Sequence, residues 1–420
     1  MDMLHFSKGV RWFVLTETML GIAIGLYSLL LNLHLLDLGL SEDQIGTISS
    51  FGSIVMGVVA IPCGMLAGRF GRKRLLVLGL ALMACGYAVF AAGEELGLLI
   101  LAQFLQAVGL TMLVTTEIQL LYSYSKSRKE ETQGFSLLFA IFTLFMGVGT
   151  LAGGYLPGWI GGFSTGYQGT LFVAAGFMMA GAMCRWFLLP KESLPPKPLE
   201  GKGAGKRHAA FIRDGNKRRW RLPGKAVWIF CGMNLLIGIA AAFTEPLLNV
   251  IVKFRLGWGA ESISLLLTLN GFGQFLSSFL LPPLLDRLGF RMTYRLVFAA
   301  NLITTLVLAA AMPAGMFSIL LLAKGGAFIM LTNMVQTHSM SVLPEQERNV
   351  YAGLRHVIRS MGGSAAIYLT GVLLSGRHYG LPFLFAGLAV GAGCVYYEKW
   401  VKPLLAAGLD DAEKGQGARP

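Results

Sequence analysis

The sequence contains few charged residues for its length. Of its 420 residues only 14% are Asp, Glu, Lys or Arg, whereas 55% are hydrophobic, and the mean hydropathy is +0.63. Soluble domains carry about 25% charged residues, because charged side chains cover the surface that faces water. The low content excludes an ordinary soluble enzyme and a disordered protein, and it indicates that the chain is dissolved in a lipid bilayer.

Cysteine chemistry is also sparse. The five cysteines all lie in apolar runs, without a C-x-x-C pair or a histidine cluster beside them; they are Cys63, Cys85, Cys184, Cys231 and Cys394. This pattern predicts neither a disulfide framework nor a zinc site. We interpret the cysteines as small apolar packing residues and expect no bound metal.

The common catalytic signatures are absent as well. The chain has no G-x-x-x-x-G-K-[ST] phosphate loop, no G-x-S-x-G nucleophile motif and no H-E-x-x-H zinc motif. We therefore expect neither an enzyme nor a cofactor, and ATP hydrolysis within this chain is not predicted. Energy for any uphill process would then have to come from a gradient across the membrane, or the process would be downhill.

Long apolar runs dominate what is present. A helix needs about 20 mostly apolar residues to cross a bilayer. Twelve such spans are predicted, at 12–36, 44–67, 75–92, 97–122, 134–157, 169–189, 225–250, 261–283, 293–312, 316–340, 351–375 and 381–400. The fold class is thus an all-α polytopic membrane protein. A polar stretch at 191–224, rich in Pro, Gly and basic residues, predicts a linker between six-helix bundles at 1–190 and 225–400, followed by a tail at 401–420.

The basic residues outside the spans are concentrated in every second loop, which is to say on one side of the membrane. Nearly all of them fall in the segments that share a side with the N-terminus, and the exceptions are Lys253, Arg255 and Arg377. Because Lys and Arg are retained on the cytoplasmic side, this bias places both termini in the cytoplasm of a cell in whose plasma or inner membrane the chain resides. The net charge of +13 then reflects topology, and we expect no nucleic-acid partner.

The two predicted bundles repeat each other at a separation of about 217 residues. The first span carries polar and small residues at spacings of 4, 7 and 4, and the seventh span repeats these spacings. The two sets are Glu17, Gly21, Ser28 and Asn32, and Asn234, Gly238, Glu245 and Asn249. Such spacing predicts one face of a helix in each bundle, and two matching polar faces indicate one shared cavity.

The repeat extends to two loops. After the second span come Gly64, Arg69, Gly71 and Arg72, and after the eighth come Asp286, Arg287, Gly289 and Arg291. With these loops the sequence resembles the major facilitator superfamily, whose loop signature is G-x-L-x-D-R-x-G-R-R/K, although Gly68 replaces the acidic residue in the first copy. The resemblance covers nearly the whole chain. It implies two pseudo-symmetric six-helix bundles, a monomer, and loops that latch one conformational state.

The same resemblance places the first, fourth, seventh and tenth helices around a central cavity. Glu17, Glu117, Glu245 and Lys324 lie one on each of these spans. A charge at membrane depth costs roughly 3 kcal/mol or more unless it is paired or hydrated. We expect Glu245 and Lys324 to pair or to hold a charged substrate between them; a fixed structural ion pair is the alternative.

Glu17 and Glu117 are predicted at similar depth near the cytoplasmic side. Two neighbouring carboxylates raise each other's proton affinity, so one of them is a candidate proton carrier. Arg355 and Arg359 on the eleventh span lie at comparable depth. We expect an acid–arginine contact across the bundles to close the cytoplasmic side, with pairing of the acids inside their own bundle as the alternative.

Further polar residues are candidates for hydrogen bonding in the cavity. They are Ser28, Asn32, Gln103, Gln106, Asn234, Asn249, Asn333 and Gln336. For any single one, packing between helices is the alternative.

These observations predict a secondary active transporter that works by alternating access. Its predicted partners are a small-molecule substrate, the bilayer and, if transport is coupled, protons. Proton-coupled efflux of an amphipathic or cationic compound is the first hypothesis. A sugar or metabolite symporter or facilitator, and a lipid or glycolipid flippase of the same fold, are the alternatives.

Overall fold

The computed structural model describes residues 6–160, 166–191, 224–343 and 345–404, and every element assigned within these ranges is helical. The predicted linker at 191–224 lies outside the described residues except for its first and last residue. Of the predicted tail at 401–420, residues 405–420 likewise lie outside them.

Six long helices form the first bundle: α1 (Lys8–Asp37), α2 (Glu42–Phe70), α3 (Arg72–Ala92), α4 (Leu96–Tyr124), α5 (Arg128–Tyr155) and α6 (Gln168–Leu188). Side-chain hydrogen bonds mark the start of α1 and of α2. The hydroxyl of Ser7 accepts a hydrogen bond from the amide of Val10 at 3.4 Å, and Ser41 and Gln44 form a capping box at the start of α2. These bonds satisfy amide and side-chain groups of the first helical turn, whose amides have no partner within the helix.

The second bundle comprises α7 (Lys225–Ala242), α8 (Leu248–Leu256), α9 (Ala260–Ala309), α10 (Ala314–Val342), α11 (Glu345–Ser375) and α12 (Leu381–Tyr396), followed by a π-turn at Tyr397–Val401. Helix α9 is two helices, 260–288 and 290–309, joined at Gly289, whose φ is 70°. Eleven helices among the described residues are long and apolar enough to cross a membrane. Counting α9 as two gives twelve crossings, and the predicted fold class is confirmed.

The seventh crossing differs from its prediction. A continuous span was expected at 225–250, with Asn234, Gly238, Glu245 and Asn249 on one face. Instead the helix stops at Ala242 and resumes at Leu248. Pro246 lies in this interval, which we call the break (residues 243–247), and proline has no amide hydrogen to donate into a helix. The polar face of the seventh crossing is therefore divided among α7, which carries Asn234 and Gly238, the break, which holds Glu245, and α8, which carries Asn249.

Contacts between the bundles concentrate at one side of the molecule. We call the side where Lys8 begins α1 proximal and the side where Asp37 ends it distal. Helix α2 packs against α11, and α5 packs against α9. These contacts extend from the middle of the helices to their distal ends. A Cβ atom on Gly46 of α2 would lie 2.8 Å from the Cα of Gly371 of α11. Only glycine permits so close an approach of two backbones.

The apolar core follows the same asymmetry. Its largest cluster includes residues of the first bundle together with distal residues of the second, such as Val250, Ile263 and Phe317. A separate cluster fills the proximal part of the second bundle. On the proximal side, Cβ atoms on Gly64 and Gly68 of α2 would meet nothing within 4 Å. The two bundles are thus joined distally and separated proximally.

Candidate functional site

The most highly charged buried group in the described structure lies in the proximal half of the first bundle. Arg185 of α6 binds both predicted carboxylates: its guanidinium pairs with Glu17 of α1, and its Nη1 lies 3.4 Å from Oε1 of Glu117 of α4. Its Nε also donates to the hydroxyl of Thr16 at 3.2 Å. Arg185 and Glu17 are 0% and 1% exposed, and Glu117 is 16% exposed. We call Glu17, Glu117 and Arg185 the triad.

The geometry of arginine explains how one side chain can hold two acids. Its planar guanidinium presents five donors in a fixed fork, and it packs on aromatic faces. The ring of Phe13 lies with its centroid 4.6 Å from the Arg185 Cζ atom. With two carboxylates against one guanidinium, the formal charge of the fully ionised triad is negative. One carboxylate is therefore available to bind a proton.

Arg185 is not among the candidates predicted from the sequence. It lies in the sixth span, three residues before the helix end, where basic side chains usually reach the interface. The signal that was available is that Arg185 is the only charged residue between Gln168 and Leu188. Intramembrane charge of this kind indicates a function by default.

Arg355 and Arg359 do not contact the two acids in this structure. Arg355 lies over the ring of Tyr351, with 5.9 Å between Cζ and the ring centroid. Arg359 packs on α7, where a Cβ atom on Gly238 would lie 2.7 Å from its Cγ. Because the proximal side is open here, the expected contact across the bundles stays a prediction for the state in which that side is closed.

Lys324 of α10 is buried, at 5% exposure. Its Nζ donates to the hydroxyl of Thr244 at 2.8 Å and lies 5.2 Å from the centroid of the Phe328 ring. Glu245, the next residue along the break, is exposed and forms no ion pair within 4 Å among the described side chains. In this state the break presents the hydroxyl of Thr244 to the ammonium, and the expected direct pairing of Glu245 with Lys324 stays a prediction. The alternative, a charged ligand between the two residues, stays open.

Asn32 and Asn249 meet at the distal side. The Nδ2 of Asn32 donates to the Asn249 Oδ1 at 2.9 Å and to the carbonyl of Pro246 at 2.8 Å. In return the Nδ2 of Asn249 donates to the carbonyl of Leu29 at 2.7 Å. These bonds join α1 to α8 and thus cross between the bundles.

The remaining polar candidates are dispersed, and several serve packing. Gln103 is buried beside Gly52 and its Oε1 has no hydrogen-bond partner, whereas Gln106 packs on Gly86. Within the second bundle the Nδ2 of Asn234 donates to the Phe230 carbonyl at 2.9 Å and to the Tyr351 hydroxyl at 2.7 Å; the Nδ2 of Asn333 lies 3.4 Å from the Ser278 hydroxyl. Ser28 and Gln336 are exposed. The structure therefore does not bring all these residues to one surface.

In each copy of the loop motif, the backbone conformation explains why one position is glycine. Gly71 has φ 88° and ψ 142°, and Gly289 has φ 70° and ψ 165°, conformations that are essentially restricted to glycine. In the first copy the Nζ of Lys73 donates to the carbonyl of Leu189 at the end of α6, at 2.6 Å. Such contacts satisfy carbonyls at the C-terminus of a helix. The exposed residues of the motif are Gly64, Arg69, Asp286, Arg287, Gly289 and Arg291, while Gly71 and Arg72 are half-buried.

No group of three or more His, Cys, Asp or Glu side chains suited to a metal ion occurs among the described residues. The chemistry that the site offers is consequently that of hydrogen bonding, ion pairing and proton binding.

Comparisons with known proteins agree with this architecture. The family model described as Major Facilitator Superfamily matches the chain twice, over residues 13–251 and 230–416. Multidrug resistance protein 2 of Bacillus subtilis (strain 168) is 22% identical over 358 residues, which cover 84% of this chain and 85% of that protein. Dipeptide and tripeptide permease A of Serratia proteamaculans (strain 568) is 33% identical over 173 residues, but these cover only 39% of this chain and 33% of the permease.

Solved structures share the fold at low sequence identity. A bacterial homologue of the iron transporter ferroportin, in an inward-facing state, superposes with a TM-score of 0.73 at 15% identity, covering 95% of this chain and 99% of that one. A bacterial homologue of the human lysosomal transporter Spinster, described as inward-facing and occupied, gives a TM-score of 0.71 at 13% identity, with 94% and 97% coverage.

Proposed function

The chain belongs to the Major Facilitator Superfamily and is a multi-pass membrane transporter rather than an enzyme, and we propose that it exports an amphipathic or cationic compound in exchange for protons. The observation that carries this proposal is the triad, in which two carboxylates share one buried guanidinium. Since the charges do not balance, proton binding neutralises the site and proton release recharges it.

The position of the triad suits a proton carrier. Glu17 is fully enclosed, whereas Glu117 is 16% exposed and thus gives the group access to its surroundings. With the proximal side facing the cytoplasm, as the distribution of Lys and Arg predicts, the present state releases protons inward. A proton bound when the distal side is open then travels inward while the compound travels outward, which is antiport.

The relatives support the drug-export version of this proposal. A relative that matches over most of both chains is named a multidrug resistance protein. Its identity of 22% supports a common fold and transport cycle, and the compound that this chain carries must be found by experiment.

The test uses purified protein in liposomes with an imposed pH difference and ethidium as the probe cation. We expect ethidium movement to follow the proton gradient in the wild type. Glu17→Gln and Glu117→Gln should each abolish the response to the gradient while ethidium exchange without a gradient continues. The matched control is Glu398→Gln, which removes a carboxylate from an exposed pair with Lys402. If both triad variants keep a normal response to the gradient, proton carriage by the triad is refuted.

A second candidate is uptake of a zwitterionic metabolite such as a short peptide. The observation that favours it is a pair of opposite charges, buried Lys324 and exposed Glu245. The Lys324 ammonium donates to the hydroxyl of Thr244, the residue before Glu245. The partial match to peptide permeases points the same way. Counterflow of a labelled dipeptide in liposomes distinguishes the two functions. Under this candidate, Lys324→Met abolishes counterflow and the exposed control Lys399→Met does not; absence of dipeptide counterflow in the wild type refutes it.

A further inference from the structure

The contact between Asn32 and Asn249 is symmetric in a way that the rest of the interface between the bundles is not. The two asparagines are 217 residues apart, which is the separation of the internal repeat. Leu29 and Pro246, whose carbonyls they bind, are related by the same offset. Each amide therefore donates to the carbonyl three residues before the opposite asparagine.

Local structure in the break makes this contact possible. In a continuous helix the Pro246 carbonyl would accept from the amide of Val250, four residues later. Here the Val250 amide donates to the Oδ1 of its neighbour Asn249 at 3.0 Å. The interruption of the seventh crossing thus leaves the Pro246 carbonyl free to accept from Asn32. On α1, the Leu29 carbonyl lies within the helix and accepts through its second lone pair.

Because Asn32 and Asn249 are buried, their contact has two favourable states, fully formed and fully broken. Asn32 and Asn249 are 5% and 3% exposed, and each has found a partner for its amide. A buried amide that loses its partners is destabilised, so intermediate separations of α1 and α8 are disfavoured. The ends of α1 and α8 are either joined by the full set of hydrogen bonds, or they are separated and water solvates the two amides. At the distal rim the Nζ of Lys253 lies 3.6 Å from the Asp37 carboxylate, so a second contact between the bundles flanks the first.

We propose that Asn32, Asn249 and the carbonyls of Leu29 and Pro246 form an amide clasp that is the distal gate of the transport cycle. The clasp holds the bundles together in the state that is open proximally, and it breaks when the distal side opens. This inference rests on alternating access in the proposed function, but it requires neither a particular substrate nor a particular coupling ion.

The test measures the distance across the distal side in the full-length chain, reconstituted in nanodiscs. Spin labels are placed at Glu94→Cys, between α3 and α4, and at Ala311→Cys, between α9 and α10, after the native cysteines are replaced. Both positions are exposed and lie in distal loops of different bundles. Pulsed electron resonance then gives the fractions of short and long distances.

Removing the clasp should raise the ratio of distally open to distally closed molecules. Hydrogen bonds between membrane helices contribute about 0.6 kcal/mol on average and up to about 1.7, so Asn32→Ala and Asn249→Ala should each raise the ratio about three- to twentyfold. The double variant should exceed the larger single effect only slightly, because both substitutions remove one contact.

The control variant lies one turn away on the same helix. Ser28 is exposed and its hydroxyl bonds within α1, to the Gly25 carbonyl at 3.1 Å, so Ser28→Ala should leave the distances unchanged. Asn32→Asp keeps the size of the side chain but removes the donor, and it should open the distal side as Asn32→Ala does. If the asparagine variants keep the wild-type distances, or if Ser28→Ala shifts them equally, the clasp is not the gate. Because no substrate or gradient enters this measurement, that outcome leaves the proton-exchange experiment unaffected.

Discussion

Removal of Arg185 should be the most destabilising charge change in the first bundle. Arg185→Met preserves the length and apolar stem of the side chain but leaves Glu17 and Glu117 without their cation. Breaking a buried ion pair by deleting one partner typically costs about 3–5 kcal/mol, because the remaining charge is neither paired nor hydrated. Glu17, at 1% exposure, has no access to water that would relieve this penalty.

A second substitution tests whether the uncompensated charge is the cause. Glu17→Gln in the Arg185→Met background removes one of the two stranded carboxylates. We therefore expect the double variant to be more stable than the sum of the single effects predicts, by more than about 1 kcal/mol, since residues of one ionic network do not act additively. The free energy of unfolding in mixed micelles, followed by the exposure of buried tyrosines, measures all three variants.

An exposed ion pair supplies the matched control. Lys402 pairs with Glu398 four residues earlier, and both side chains are about two-fifths exposed. Lys402→Met removes the same charge as Arg185→Met but should cost less than about 1 kcal/mol. If Arg185→Met is as mild as Lys402→Met, or if its effect and that of Glu17→Gln simply add, then the triad is not the buried network described above.

Glycine positions give further predictions. Gly46→Ala should lengthen the distal reporter distance, because its Cβ would lie 2.8 Å from the Cα of Gly371, whereas Gly176→Ala, which meets nothing within 4 Å, should not. Gly71→Ala and Gly289→Ala should each lower the free energy of unfolding by about 1–3 kcal/mol through backbone strain. Gly68→Ala, in the same loop motif but with open space and no positive φ, should be neutral or stabilising in the same denaturation assay.

Sequence reasoning succeeded where the signal is local. Apolar run length located the spans, and the glycines of the loop motif sit where φ is positive, at Gly71 and Gly289. The break in the seventh crossing was also detectable, because Pro246 lies inside a predicted helix. It was missed because the matching spacings of the repeat favoured a continuous helix.

The triad and the Lys324 site were harder to predict for a physical reason. Each depends on which helices become neighbours and on the reach of one long side chain. Arg185 joins residues more than 160 positions apart in sequence, and Lys324 joins Thr244 across 80. Depth along a span can be read from the sequence, but rotation about the helix axis is set by packing against other helices. Similar depth therefore placed Glu17 beside Glu117 without revealing the arginine between them.

The repeat also shows how the two sides of the membrane can be closed by different chemistry. Bundles related by an axis along the membrane normal hold equivalent residues at equal depth, so equivalent residues are the ones that can meet across the axis. Asn32 and Asn249 do so distally. Proximally the equivalents differ, since Glu17 corresponds to Asn234 by the 217-residue offset. Arg359 packs on Gly238, one helical turn beyond Asn234. It therefore lies near the depth of Glu17, so the acid–arginine contact across the bundles stays a prediction for the state in which α1 and α7 approach proximally. Distal closure would then rest on the amides and the flanking Lys253–Asp37 pair, and proximal closure on a carboxylate of the triad, so that proton binding by the triad would act on the proximal gate.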